Sequence, residues 1–303
     1  MSRPAEAPST ARADTGVIHN IGYRGYRGPR LGRSYATRSL FVQGLRGAFG
    51  LGRSGKSKVL PMLMLAFTVL PAGGMVAIAI YQKSAQLGTD YPHYLSGFGL
   101  FFVEIFAAAQ APVLLSRDLR HHTVPLYFSR PITRGDYVRA KCAAMFSAML
   151  IVSSLPMLVL YLGALLNGMD FGHNTAHFAY GLLAAVLYSL VFSAIALLIA
   201  ASTPRRGFGV AAIMGALVVS AAIANIVSRL RGGFNADPSG SSQWAQVISP
   251  SGLVSGLVNK VCGLADVDNP GTPGTLGALV FALELTVIVA GAFVLLLRRY
   301  RKI

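Results

Sequence analysis

Charged residues are scarce in this chain. Only 13% of the 303 residues are Asp, Glu, Lys or Arg, about half the share of an ordinary soluble domain. Acidic residues are the rarest of these, 11 against 27 Lys plus Arg. Catalytic signatures are missing as well: no His-Glu-x-x-His, no Gly-x-Ser-x-Gly and no Cys-x-x-Cys occurs. The chain is therefore expected to be non-catalytic and to need no cofactor. There are two cysteines, Cys142 and Cys262. They fall on opposite sides of the membrane in the topology derived below, so they cannot pair within one chain and act as small apolar side chains.

What is abundant is apolar surface, 53% of the residues. One water-soluble core of this size cannot hide that much. The surplus lies in six runs near 59–81, 97–115, 142–166, 178–201, 208–228 and 275–297. Each meets the roughly 17–25 residues that a helix needs to cross about 30 Å of hydrocarbon. Pro112 and Pro156 interrupt two of them, which a membrane helix tolerates when its neighbours re-satisfy the freed carbonyl.

The net charge of +16 would suggest nucleic acid on a soluble protein. Here the cations sit between the apolar runs, so membrane topology accounts for them and no nucleic-acid partner is expected. Six spans put both termini on one side. With that side cytoplasmic, 23 of the 27 cations are inside, and Lys83, Arg229, Arg231 and Lys260 remain outside. Every short loop then obeys the positive-inside rule. The first apolar run begins after some 58 residues, far beyond a signal peptide of about 15–30 residues, so the first span is expected to direct insertion. The fold class is an all-α integral membrane protein of the cell membrane.

Around the spans, residues 1–33 are rich in Pro, Ala, Ser, Gly and Arg and include the echo Tyr23-Arg24-Gly25-Tyr26-Arg27-Gly28. Such a stretch has too little apolar surface to fold alone and is read as a basic tail near the lipid headgroups. In 34–57, Leu40, Phe41, Leu45, Ala48 and Phe49 recur at helical spacing, with Arg38, Gln43 and Arg46 on other faces. That pattern predicts an amphipathic interfacial helix leading into the six-span domain, 58–303. The largest outer segment, 229–274, holds an apolar stretch from Trp244 to Leu264. It is too short to span, so it predicts short helices in an interfacial or re-entrant cap, with Trp244 at the headgroup level.

Three polar features bear on chemistry. Gly50-Leu51-Gly52-Arg53-Ser54-Gly55-Lys56-Ser57 fits G-x-x-x-x-G-K-[ST]. A phosphate loop, however, follows a buried strand and opens an amphipathic helix, and neither flank here is of that kind. No nucleotide is expected to bind. His173 and His177 stand four apart near Asp170. Two imidazoles without a convincing third ligand do not make a metal site, so they read as polar loop residues. Glu104 and Glu284 lie inside spans, with Gln110 six residues beyond Glu104. A carboxylate at such a depth costs about 2.5–3.5 kcal/mol on insertion scales and faces protein or water. Glu104 suits either a translocation path or an interhelical hydrogen bond, whereas Glu284 suits the second.

The richest segment is 116–141. It sets Leu119, Leu126, Tyr127 and Phe128 among Arg117, Asp118, Arg120, Arg130, Arg134, Asp136, Arg139 and Lys141. A plain connector needs neither that length nor those apolar side chains. Apolar groups rimmed by charge suggest a docking surface for a cytoplasmic partner. The pattern Ser116, Asp118, Thr123, Leu126, Arg130-Pro131-Ile132-Thr133-Arg134, Tyr137-Val138 and Lys141 resembles a loop of the type-2 ATP-binding-cassette exporter permeases of the bacterial six-span kind. Ile248-Ser249-Pro250 resembles a turn of their last outer loop. His122 stands where that family usually has Gly, and Asp118 where it often has Glu.

The resemblance covers most of 34–303. It implies an elbow helix before the first span and a coupling helix within 116–141, docked in a separate ATPase subunit. Arg117, Asp118, Thr123, Leu126, Tyr127, Phe128, Arg130, Pro131 and Arg134 are then the coupling residues. A second permease half, identical or different, and membrane lipid are the other expected partners. A different class of function fits the same loop: a membrane anchor or assembly protein that recruits a cytoplasmic partner without transporting anything.

Overall fold

All six apolar runs fold as helices, the segment type that satisfies every backbone group internally when water is absent. The computed structural model describes residues 28, 31–52, 54–120, 124–128, 132–203, 205–232, 240–265 and 271–301. Residues 32–303 form one unit. Residues 1–31 form another, of which only Gly28 and Leu31 are described, so the basic tail and its Tyr-Arg-Gly echo fall almost wholly outside the described residues.

Helix α1 (Arg33–Ala48) precedes α2 (Lys56–Gln82), the first helix long and apolar enough to cross a bilayer. The second span joins α3 (Tyr91–Tyr94) through a π turn to α4 (Leu100–Leu114). Two short helices follow, α5 (Ser116–Arg120) and α6 (Val124–Phe128), then the long spans α7 (Arg134–Leu166) and α8 (Phe171–Ser202). The fifth span is α9 (Arg206–Met214), a π turn and α10 (Ser220–Gly232). After α11 (Gly240–Gln243), a 3₁₀ turn and α12 (Pro250–Cys262), the sixth span is α13 (Gly274–Arg301). This is the architecture of a multi-pass membrane protein.

The second span is the central one. From Val103 to Leu114 nearly every residue of α4 is buried, because α2, α7, α8 and α9 all pack on it. Helix α7 has 33 residues, about 50 Å of helix, which exceeds the hydrocarbon thickness. Its first turns extend beyond its apolar run and form a stalk. A capping box starts that stalk: Thr133 Oγ1 accepts from Asp136 N–H (3.3 Å), and Asp136 Oδ2 accepts from Thr133 N–H (3.1 Å).

Helix α1 does form, but its apolar stripe faces protein. Leu40, Gly44 and Ala48 are buried where α1 packs on α7 and α4. Arg33 Nη2 donates to Asp136 Oδ1 (2.9 Å) at one end of the contact, and Phe49 meets the Phe106 ring (centroids 5.7 Å) at the other.

The segment after the fifth span folds as the short helices its composition predicts, and it reaches inward. Ser249 caps α12, accepting from Gly252 N–H (3.0 Å), with Pro250 at the first helical position. The start of α12 packs on the middle of α8, where the Tyr188 hydroxyl donates to the Ser251 carbonyl (3.4 Å). Gly256 of α12 lies against the Phe281 ring, and Trp244, part exposed, meets the same ring edge-on.

Candidate functional site at the α5–α6 end

Helices α4, α8 and α13 end, and α7 and α9 begin, at one end of the bundle. There the Ser116 hydroxyl donates to the Ala200 carbonyl (2.8 Å), tying the root of the loop to the end of α8. Asp118 Oδ2 accepts from the Tyr137 hydroxyl (2.8 Å) and lies 2.8 Å from Lys141 Nζ. Lys141 is itself buried and also donates to the Leu114 carbonyl (3.0 Å). One carboxylate thereby neutralises a buried ammonium and joins α5 to α7.

Tyr137 is the hub. Fully buried, it contacts Tyr127 (centroids 5.6 Å), Phe128 (6.2 Å) and the equally buried Tyr300 of α13 (5.1 Å). Arg134 places its guanidinium over the Phe128 ring (5.7 Å) and donates to the Arg301 carbonyl (3.3 Å). The aromatic pair expected to stand outward is thus partly turned inward onto Tyr137. Leu126 of α6 is 68% exposed.

Among the other expected coupling residues, Arg117 lies in α5 with its side chain undescribed, and Thr123, Arg130 and Pro131 lie outside the described residues. Sequence reasoning missed Tyr300. Its place between Arg298-Arg299 and Arg301 gave no distinct signal, because a tyrosine at the end of a span is ordinary at the headgroup level.

Gly50–Ser57 joins two helices. Gly50 and Gly52 take positive φ (67° and 81°), and α2 already begins at Lys56. A Cβ on Gly50 would come 2.4 Å from the Ser57 carbonyl oxygen, so this glycine serves a tight turn. Helix α1, not a strand, leads into it.

The intramembrane polar residues separate. Glu104 and Gln110 are both buried on the central helix α4, and Glu104 Oε1 has no hydrogen-bond partner among the described residues. Tyr188, the residue that receives the start of α12, is buried on α8, a helix that packs on α4. Glu284 is only part buried on α13, a helix whose main neighbours are α8, α12 and α7.

At the opposite end the fold brings together residues that sequence spacing had left apart. Asp90, His173 and His177 each place a ligand atom within 4.8 Å of the others.

Comparison with protein-family models and with curated proteins finds no match. The fold and the site define the class: an α-helical, multi-pass membrane protein with a helical loop braced on three of its spans.

Proposed function

We propose that this chain is one membrane-spanning half of an ATP-driven exporter, with ATP hydrolysed on a separate cytoplasmic subunit and a second permease half completing the path. In this reading α5–α6 is the coupling element and α1 the elbow helix. The end carrying α6, both chain termini and most cations is cytoplasmic. The observation that carries the reading is the junction itself. Tyr127 and Phe128 of α6 pack on Tyr137 of α7, Asp118 of α5 holds Tyr137 and Lys141, and those two in turn reach Tyr300 of α13 and the end of α4, while Leu126 is 68% exposed. A solvated connector has no use for such bracing. An element that must pass a push from a partner to several spans requires it, because coupling travels through rigid packed contacts. Glu104, buried on the central helix with Oε1 unpartnered among the described residues, is a polar group inside the bundle, which supports transport over simple anchoring.

The chain, tagged and purified in mild detergent from its own cells, should carry ATP-hydrolysing activity. Leu126→Asp should strip that activity while the chain stays in the membrane fraction, since truncating an interface anchor costs about 2 kcal/mol or more. Lys56→Ala should leave the activity unchanged. A chain that never carries ATPase activity, or one that loses it with Lys56→Ala and keeps it with Leu126→Asp, would overturn the proposal.

A further inference from the structure

At the end remote from α6, the two imidazoles that the sequence leaves without a third ligand acquire one. His173 and His177 occupy positions i and i+4 on the first turns of α8, which puts both on one face. Their rings lie 4.0 Å apart, centroid to centroid. Asp90, more than 80 positions earlier, stands at the head of α3, with Oδ1 2.8 Å from His177 Nδ1. That close pair is not aligned as a hydrogen bond, and the buried Nδ1 has no hydrogen-bond partner among the described residues. The imidazole nitrogen and the carboxylate oxygen thus converge without the N–H pointing at the oxygen, a convergence that one shared ion would satisfy. With bonds of about 2.0–2.2 Å, neighbouring ligand atoms of a tetrahedral site lie about 3.3–3.6 Å apart, between the 2.8 Å of this pair and the 4.8 Å that bounds the three atoms.

The surroundings hold the three residues in place. Asp170 Oδ2 accepts from His173 N–H (2.6 Å) and so fixes the start of α8. The Tyr91 hydroxyl, next in sequence to Asp90, donates to Asn174 Oδ1 (3.0 Å), and both residues are buried. The Tyr91 ring packs edge-on to Phe178, and a Cβ on Gly181 would come 2.8 Å from Tyr91 Cβ. Asp90 and the two histidines are thus locked to one another by a close helix–helix contact just below them. His93 Nδ1 stands 4.0 Å from Asp90 Oδ2, beside the triad.

We infer that Asp90, His173 and His177 form a binding site for one divalent transition-metal ion of the zinc class, pinning the start of the second span to the start of the fourth. Two imidazoles and a carboxylate suit zinc and its neighbours rather than calcium or magnesium, which take all-oxygen shells. The i, i+4 histidine pair on one helix face is a recurrent zinc geometry. Three protein ligands leave a fourth tetrahedral position for water. The inference does not depend on transport.

The test uses the full chain, purified in detergent and stripped of metal with a chelator, then titrated with Zn²⁺ and separately with Co²⁺. The wild type should bind one equivalent, give the visible absorption of tetrahedral Co²⁺, and melt at a higher temperature with Zn²⁺, since a ligand of the native state stabilises it. Asp90→Asn, His173→Gln and His177→Gln should each weaken binding by more than the about 10–100-fold typical of losing an outer-shell partner. The double variant His121→Ala/His122→Ala should bind as the wild type does. Size-exclusion profiles matching the wild type show which variants are folded, and the Co²⁺ spectrum of the wild type needs no variant. Absence of a saturable equivalent, absence of the tetrahedral spectrum, or loss of binding in the His121/His122 variant instead would overturn the inference.

Discussion

Asp118 does two things with one oxygen: it receives the Tyr137 hydroxyl and neutralises buried Lys141. Its removal leaves the ammonium of Lys141, a residue only 7% exposed, without its carboxylate and with the Leu114 carbonyl as an acceptor. Asp118→Ala should therefore destabilise the chain by about 1–3 kcal/mol, the cost of an unsatisfied buried polar group. Asp118→Asn, which keeps an acceptor, should cost less. Thermal unfolding in detergent checks both, and equal midpoints for wild type and Asp118→Ala would remove this residue from the junction. Tyr127 and Phe128 belong to the same unit. Because they lean on Tyr137 rather than stand free, their truncation should loosen α6 as well as alter its outer surface.

At the scale of helices, the instructive case is α1. Its two glycines weaken it as an isolated helix, and the structure explains one of them. A Cβ on Gly44 would lie 2.9 Å from the Ala144 Cβ, so only a bare backbone lets α1 approach α7 this closely, a small-residue contact. Gly44→Leu should cost about 1–3 kcal/mol through overpacking and lift α1 away. Limited trypsin digestion should then cut at Arg38 and Arg46 faster than in the wild type, while Gly73→Ala, with open space around it, should digest normally. Unchanged cleavage in Gly44→Leu would mean that α1 is not held by this contact.

The six spans were legible in the sequence because bilayer thickness dictates length and apolarity together. Their ends were less so. The second span starts at Tyr91 rather than near 97, because polar His93 and Ser96 lie outside the apolar run, although Pro92 suits a first helical turn. Likewise α7 starts at Arg134, eight residues before its apolar run, because charge hides a helix that continues into water. The capping signal Thr133-x-x-Asp136 was present there but lay inside a segment dominated by cations. The pairing of Asp90 with His173 and His177 had no local signal at all. It exists only once α3 and α8 pack.

For the whole molecule, the cation distribution and the fold bear on one topology. In a background lacking both native cysteines, a cysteine at Leu126 should react with an impermeant reagent only after permeabilisation. A cysteine at Phe171, exposed at the other end, should react in intact cells. Equal reaction at both would contradict an odd number of crossings between them.

The docking role of α6 is the central claim, and it can be tested in place. A photoreactive amino acid substituted at Leu126 should, on illumination of intact cells, join this chain to an ATP-binding-cassette ATPase subunit identified by mass spectrometry. The same probe at Phe171 should not. A Leu126 probe that captures only lipid, or no polypeptide, would contradict the account.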